Sequence, residues 1–139
     1  MSWGNGERIK RTRTDIIFSD YIRERDNWTC QRCSKTFTQG VDSRRLHCAH
    51  LWWGRANIIT RWEPKNCAAV CVGCHILVDQ SPGLAYQIMS KIRTPEEILW
   101  LQQQEDEKRT IKIPKEKELE ARKVVKQLLY DLKKERGKQ

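Results

Sequence analysis

Two cysteine pairs constrain this chain more than any other feature. Cys30-x-x-Cys33 and Cys71-x-x-Cys74 each set two thiols on one tight turn, where both can reach a single tetrahedral ion. Two such pairs complete a four-cysteine site of the structural zinc (Zn²⁺) kind. The competing reading is a redox pair or unrelated buried thiols. Between Cys33 and Cys71 lie 37 residues. A simple zinc ribbon needs roughly half that. An ion held by both pairs therefore clamps the base of an inserted unit. It also supplies folding energy that a 139-residue chain with 38% apolar residues is short of. Cys48 and Cys67 are left over and read as small buried apolar side chains.

The charge narrows the partners. Lys and Arg number 27 against 18 Asp and Glu, a net charge of +9. That balance suits nucleic acid, an acidic membrane face or an acidic protein. No run of 18 apolar residues offers a membrane span. The opening residues lack the apolar core of a signal peptide, so reduced cysteines and a cytoplasmic setting are expected. Neither G-x-G-x-x-G nor a P-loop motif is present.

The chain divides into three stretches. Residues 1–14 read as a basic flexible arm. A short helix is expected over Asp15–Asp26, and a strand over Leu46–Leu51. Gly54–Lys65 reads as loop, and Asn66–Asp79 as a helix around the second cysteine pair. Ser81-Pro82-Gly83 breaks the chain before a helix over 84–92. Thr94, Pro95 and Glu97 spell the start of another, running to about Lys108. Residues 93–139 form a basic helical extension. After Pro114, Ala121, Val125, Leu128 and Leu132 recur on one helical face. That stripe packs against the domain or against a sister chain, giving a homodimer. The fold class expected is α+β.

All three histidines fall within 29 residues, inside or beside the insert. The runs that carry them are Leu46-His47-Cys48-Ala49-His50, then Arg61-Trp62-Glu63-Pro64-Lys65-Asn66, then Val70-Cys71-Val72-Gly73-Cys74-His75. This order resembles the HNH endonucleases, the ββα-metal nucleases. The segment Phe18–Asp26 looks like the phage-encoded branch, which implies a host-cell cytoplasmic setting. The resemblance covers about residues 15–92 and implies a zinc-stapled ββα-metal core. The activity implied is metal-dependent hydrolysis of DNA, leaving 5′-phosphate and 3′-hydroxyl ends.

The roles follow the chemistry of that reaction. A neutral histidine near pH 7 can take a proton from water, and a divalent cation relieves charge on the phosphorane. By the resemblance, His50 is the base, Asn66 fixes the loop or offers its amide oxygen to the metal, and His75 is a metal ligand. Mg²⁺ suits oxygen ligands, and Mn²⁺ suits a site with an imidazole. Nine residues of helix are about 2.5 turns, which would put Asn66 and His75 on opposite faces. Asn66 must then precede the helix or only orient the site. Many family members have Asp just before the first histidine. Here Ala49 stands there, so the metal rests on fewer ligands or another residue supplies the contact. His47 shares the strand face of Ala49 by two-residue alternation and is the weaker candidate. His50 also reads as a structural histidine, and either His50 or His75 as a zinc ligand.

Arg44, Arg45, Arg55 and Arg61 surround the proposed site, with Arg55 and Arg61 foremost for phosphate. Their competing reading is ordinary surface charge. Trp52 and Trp53 suit core packing or stacking on a base, and Trp28, Trp62 and Trp100 read as core. Two non-enzymatic readings stand beside the nuclease. One is a zinc-dependent module that binds nucleic acid without cutting it. The other is a protein-interaction module whose basic last helix docks an acidic partner.

Overall fold

The computed structural model describes residues 9–106 and 112–137. Within them the chain is α+β, with five α-helices and one two-stranded antiparallel sheet. Helix α1 (Arg13–Arg25) starts on a capping box. Thr12 Oγ1 accepts from the Asp15 N–H, and the Asp15 carboxylate accepts from the Thr12 N–H. Just past its end, Asn27 and Trp28 take left-handed backbone angles, φ +57° and +52°. That sharp exit delivers the first cysteine pair. Strand β1 (Leu46–His50) pairs with β2 (Cys67–Cys71), Leu46 opposite Cys71 and His50 opposite Cys67. β2 runs directly into α2 (Val72–Gln80). Then come α3 (Pro82–Ile92), α4 (Pro95–Gln102) and α5 (Lys115–Glu135).

Residues 67–71 are strand where helix is expected. Ala68, Ala69 and Val70 are each fully buried. A strand covered on both faces is a continuous apolar run, and periodicity cannot separate it from a buried helix. The edge of β2 away from β1 is paired by other means. Ala69 N–H donates to Asp26 Oδ2 at 2.8 Å, and Gln31 N–H donates to the Ala69 carbonyl at 2.8 Å. The first cysteine turn is thereby docked on the sheet.

Helices and sheet enclose two apolar clusters. Leu46, Ala49 and Val70 pack with Val78, Met89, Ile98 and Leu101. Phe18 and Ile22 of α1 pack with Cys67 and with Val125 of α5. Because Ile98 and Leu101 of α4 sit in the first cluster, the division at residue 93 does not follow the packing. α4 starts on the Thr94 capping box as expected, but it ends at Gln102 rather than near Lys108. The chain beyond it is held instead by the insert. Asn57 Nδ2 donates to the Gln104 carbonyl at 2.6 Å, and Ile58 N–H donates to Asp106 Oδ2 at 3.1 Å. Trp100 is not core. It is exposed, with Lys65 Nζ 4.8 Å from its ring centroid.

α5 lies parallel to α1. Thr14 near the start of α1 donates to Glu118 near the start of α5, and Arg136 after α5 reaches Glu24 and the Arg25 carbonyl at the end of α1. The stripe expected on α5 is thus partly spent within the chain, with Val125 buried against α1. Leu119, Val124 and Tyr130 remain exposed.

Of the basic arm, residues 1–8 lie outside the described residues. Residues 10–14 are tied down, since Arg13 and Thr14 are in α1 and the Lys10 carbonyl accepts from Arg61 Nη2 at 3.0 Å. Arg61 corrects a second expectation. It is 1% exposed and cannot meet a phosphate. Its Nε and Nη2 donate to Asp15 at 3.1 and 2.6 Å, and Trp62 Nε1 also donates to Asp15, at 2.9 Å. Burial works against ionised Asp15, but the bonds from Arg61 and Thr12 outweigh it and hold its pKa below the ordinary value. The stability this carboxylate contributes is therefore present above pH 4 or so and lost as pH falls through its lowered pKa. Asp15→Ala strands a buried guanidinium, and urea unfolding should report a loss of about 3–5 kcal/mol.

Candidate functional site

The four paired cysteines converge. The Sγ atoms of Cys30, Cys33, Cys71 and Cys74 all lie within 4.8 Å of one another, with Cys33 and Cys71 at 3.8 Å. In each pair the later cysteine's N–H faces the earlier sulfur at 3.5 Å, as a thiolate turn requires. Ser34, φ +68°, turns the chain away after the first pair. Burial pushes the Cys30 thiol up, but N–H groups of Cys33, Cys71 and Arg32 outweigh it and bring it to about 7. Burial, joined by the other three cysteines, pushes Cys74 up to about 12 although Arg32 opposes it. Thiolates this close repel, and a divalent cation removes the conflict. The cluster can hold a metal ion such as zinc, with all four tetrahedral positions taken by sulfur.

A separate cleft of about 500 Å³ opens between α1, β1 and α2. His47, His50 and His75 all line it, with Arg11, Arg23, Arg44 and Arg55, and with Asp15 and Asp79. His50 is half-buried on β1, its ring 6.3 Å from that of Phe18. Its Nε2 lies 2.9 Å from the Arg61 carbonyl. A carbonyl only accepts, so Nε2 carries the proton and Nδ1 the lone pair. Burial pushes the imidazole down to about 4; the Arg61 carbonyl opposes this and the Arg55 charge adds to it. His50 is therefore neutral at pH 7.

His47 Nδ1 and His75 Nδ1 meet at 2.9 Å. Nitrogens sharing one divalent ion at right-angled to tetrahedral geometry stand about 2.9–3.4 Å apart. His75 Nε2 lies 3.6 Å from Asp79 Oδ1, so its far side faces a carboxylate in the manner of ligating histidines. Burial, then the charges of His75 and Arg23, lower the His47 pKa and favour the neutral form a metal requires. These two imidazoles fit a divalent cation. The alternation argument misplaces His47. Burial along β1 runs buried, half, half, buried, half rather than alternating, and two-stranded ribbons twist strongly.

Asn66 is fully buried and ends a one-turn 3₁₀ helix (Pro64–Asn66) just before β2, not α2. Its Oδ1 accepts from Trp52 and Trp53 N–H at 3.0 and 3.1 Å, and its Nδ2 donates to the Trp53 carbonyl at 2.6 Å. The Leu51 N–H donates to its backbone carbonyl at 2.7 Å. Of the two roles expected, its contacts supply loop-fixing. With both Oδ1 lone pairs engaged, the amide has none for a metal. Arg25 and Arg93 brace the same junction through the carbonyls of Pro64 and Cys67. Among the arginines expected at the site, Arg44 and Arg55 line the cleft, Arg45 is exposed outside its lining, and Arg61 is buried behind it. Arg11, from the basic arm expected to meet phosphate or stay solvated, also lines the cleft, and Arg23 of α1 joins it. Trp53 Nε1 donates to the Leu101 carbonyl at 2.6 Å, so this tryptophan is tied to the core.

Comparison with known proteins finds no match to a family model, a curated protein or a solved structure. No helix among the described residues is long and apolar enough to cross a membrane.

Metal analysis of reduced protein should find about one tightly held zinc per chain. Cys33 is exposed, so Cys33→Ser removes a ligand without opening the core. It should release the zinc and lower the thermal midpoint. Unchanged unfolding after chelation would show that the cluster does not hold the fold.

Proposed function

We propose that this chain is a metal-dependent endonuclease of the HNH kind that hydrolyses DNA phosphodiester bonds. The observation that carries the reading is the meeting of His47 and His75 at 2.9 Å in a cleft shared with neutral His50 and four arginines. The β1–β2–α2 succession, with His50 on the first strand and His75 on the helix, supports it.

Each residue has a task that its surroundings suit. His50 takes the proton of the attacking water at Nδ1, while the Arg61 carbonyl holds Nε2 and fixes the ring. Its low pKa makes it a weak base in the empty cleft. Burial is the main cause; a phosphate beside Arg55 offsets the lesser one, its charge, and so raises the pKa. His47 and His75 would hold Mg²⁺ or Mn²⁺, which when bound would polarise the phosphate and steady the leaving oxygen. His47 thereby takes the place of the acidic ligand absent at Ala49, a residue fully buried in the core. Arg11, Arg44 and Arg55 hold the backbone, while Arg23, bonded to Asp20 and to the Leu46 carbonyl, adds charge to the wall. Arg23 Nε is a buried donor with no acceptor among the described residues. Asn66 keeps the loop after β1 in place. Such contacts read phosphate rather than bases, so binding is largely sequence-independent.

Plasmid relaxation by pure protein with Mg²⁺ or Mn²⁺ tests the proposal. His50→Ala should cut at least about a hundredfold more slowly while binding DNA as before. His47→Ala should lose activity in a way that excess Mn²⁺ partly restores. Binding without cutting by wild type and His50→Ala alike would favour the non-catalytic module. Arg55→Ala should lower the slope of log affinity against log salt by about one. No DNA affinity at moderate salt would favour the acidic-protein partner instead.

A further inference from the structure

Cys48, His50 and Cys67 gather on one face of the sheet, apart from the four-cysteine cluster. Cys48 and His50 are two residues apart on β1, and Cys67 stands opposite His50 on β2. Their two sulfurs and a ring nitrogen all lie within 4.8 Å of one another. Tetrahedral zinc places such ligand atoms about 3.4–3.8 Å apart, so small side-chain adjustments close the triad on one ion. We propose that Cys48, His50 and Cys67 form a second site for a soft divalent cation such as Zn²⁺, and that filling it removes His50 from the chemistry of the cleft. The second half of that statement rests on the base role given to His50 above. The first half does not.

Access, charge and softness all suit the site. Cys48 and His50 line the cleft, which is the entry path, and Cys67 closes the floor. Binding releases two thiol protons to solvent, and two thiolates with one neutral imidazole balance a dication. A centre with no net charge is what the apolar wall of Phe18 and Ile22 tolerates. The guanidiniums of Arg25 and Arg93, bonded to the Cys67 carbonyl at 2.7 and 2.8 Å, stabilise its thiolate. Thiolate and imidazole select zinc over magnesium. Three protein ligands leave one position for water or an exogenous group. Burial and Cys48 push the Cys67 thiol well above its ordinary value, so the proton is hard to displace. With three protein ligands against four, this site fills after the four-cysteine cluster. His50 has one lone pair, because Nε2 is a donor to Arg61. A lone pair given to an ion cannot take a proton from water.

The test titrates reduced full-length protein, already holding one equivalent of Zn²⁺, with more Zn²⁺ against a chromophoric chelator. Wild type should take up a second equivalent. Cys48→Ala and Cys67→Ala should each keep the first and weaken the second by more than about tenfold. If Cys67→Ala fails to fold, half-buried Cys48 decides the matter alone. Wild type that stops at one equivalent, or Cys48→Ala that binds the second unchanged, overturns the site. In Mg²⁺-supported plasmid cleavage, added Zn²⁺ should inhibit wild type and spare Cys48→Ala. Equal inhibition of both overturns the link to His50. A second equivalent that depends on Cys48, in a protein that never cuts DNA, supports the site and overturns the nuclease reading.

Discussion

The ion pair of Arg61 and Asp15 ties together more of this molecule than any other contact. It joins the start of α1 to the end of the insert, at 1% and 6% exposure. The same carboxylate caps α1 through Thr12 and receives the Trp62 indole. The same guanidinium holds the Lys10 carbonyl, and the Arg61 backbone carbonyl sets the tautomer of His50. A charge pair this deep pays a desolvation cost that only good geometry recovers. Here the geometry is a two-point fork with further hydrogen bonds on both partners, so the energy is spent on position. Helix, loop and histidine are fixed relative to one another by one pair of side chains.

The cysteine cluster does complementary work at the other end of the hairpin. β1 and β2 are five residues each, and an isolated pair of that length is marginal. Three constraints close it. The cysteine turns join residue 30 to residue 74 at one end, Asn66 knots the loop at the other, and Asp26 with Gln31 covers the open edge. The cleft lies between these fixed points. Its histidines are borne on a braced strand and on the first turns of α2, not on a free loop.

Much of this was legible in the residues, and what was not has physical causes. The spacing of the cysteines announced the clustering because two thiols on a tight turn have few other geometries. The start of α4 was legible because a capping box is a local device, complete within four residues. β2 was not, because a strand buried on both faces carries no alternation. Arg61 was not, because its partner Asp15 lies 46 residues away and nothing local distinguishes a buried arginine from a phosphate-binding one. His47 was lost to a rule for flat strands applied to a twisted one. The proposed DNA-cutting role rests on motif resemblance and cleft chemistry together, and the cleft gives His75 a partner, His47, that the motif leaves open.

The low pKa of His50 bears on how such a cleft would behave. Burial, aided by the charge of Arg55, keeps the imidazole neutral in the free protein. An imidazole in that field keeps its lone pair but holds a proton poorly. Entry of a polyanion inverts the field, since each phosphate brings negative charge to the wall that Arg23, Arg44 and Arg55 form. The proton affinity of Nδ1 would then rise, as the proposed base role needs. Basicity would be conferred by the substrate rather than stored in the free protein. In the proposed nuclease the same field would lessen the need for a carboxylate at position 49. The arginines would draw the phosphate in, and neutral His47 and His75 would take a cation without a fixed anion competing with the phosphate for it.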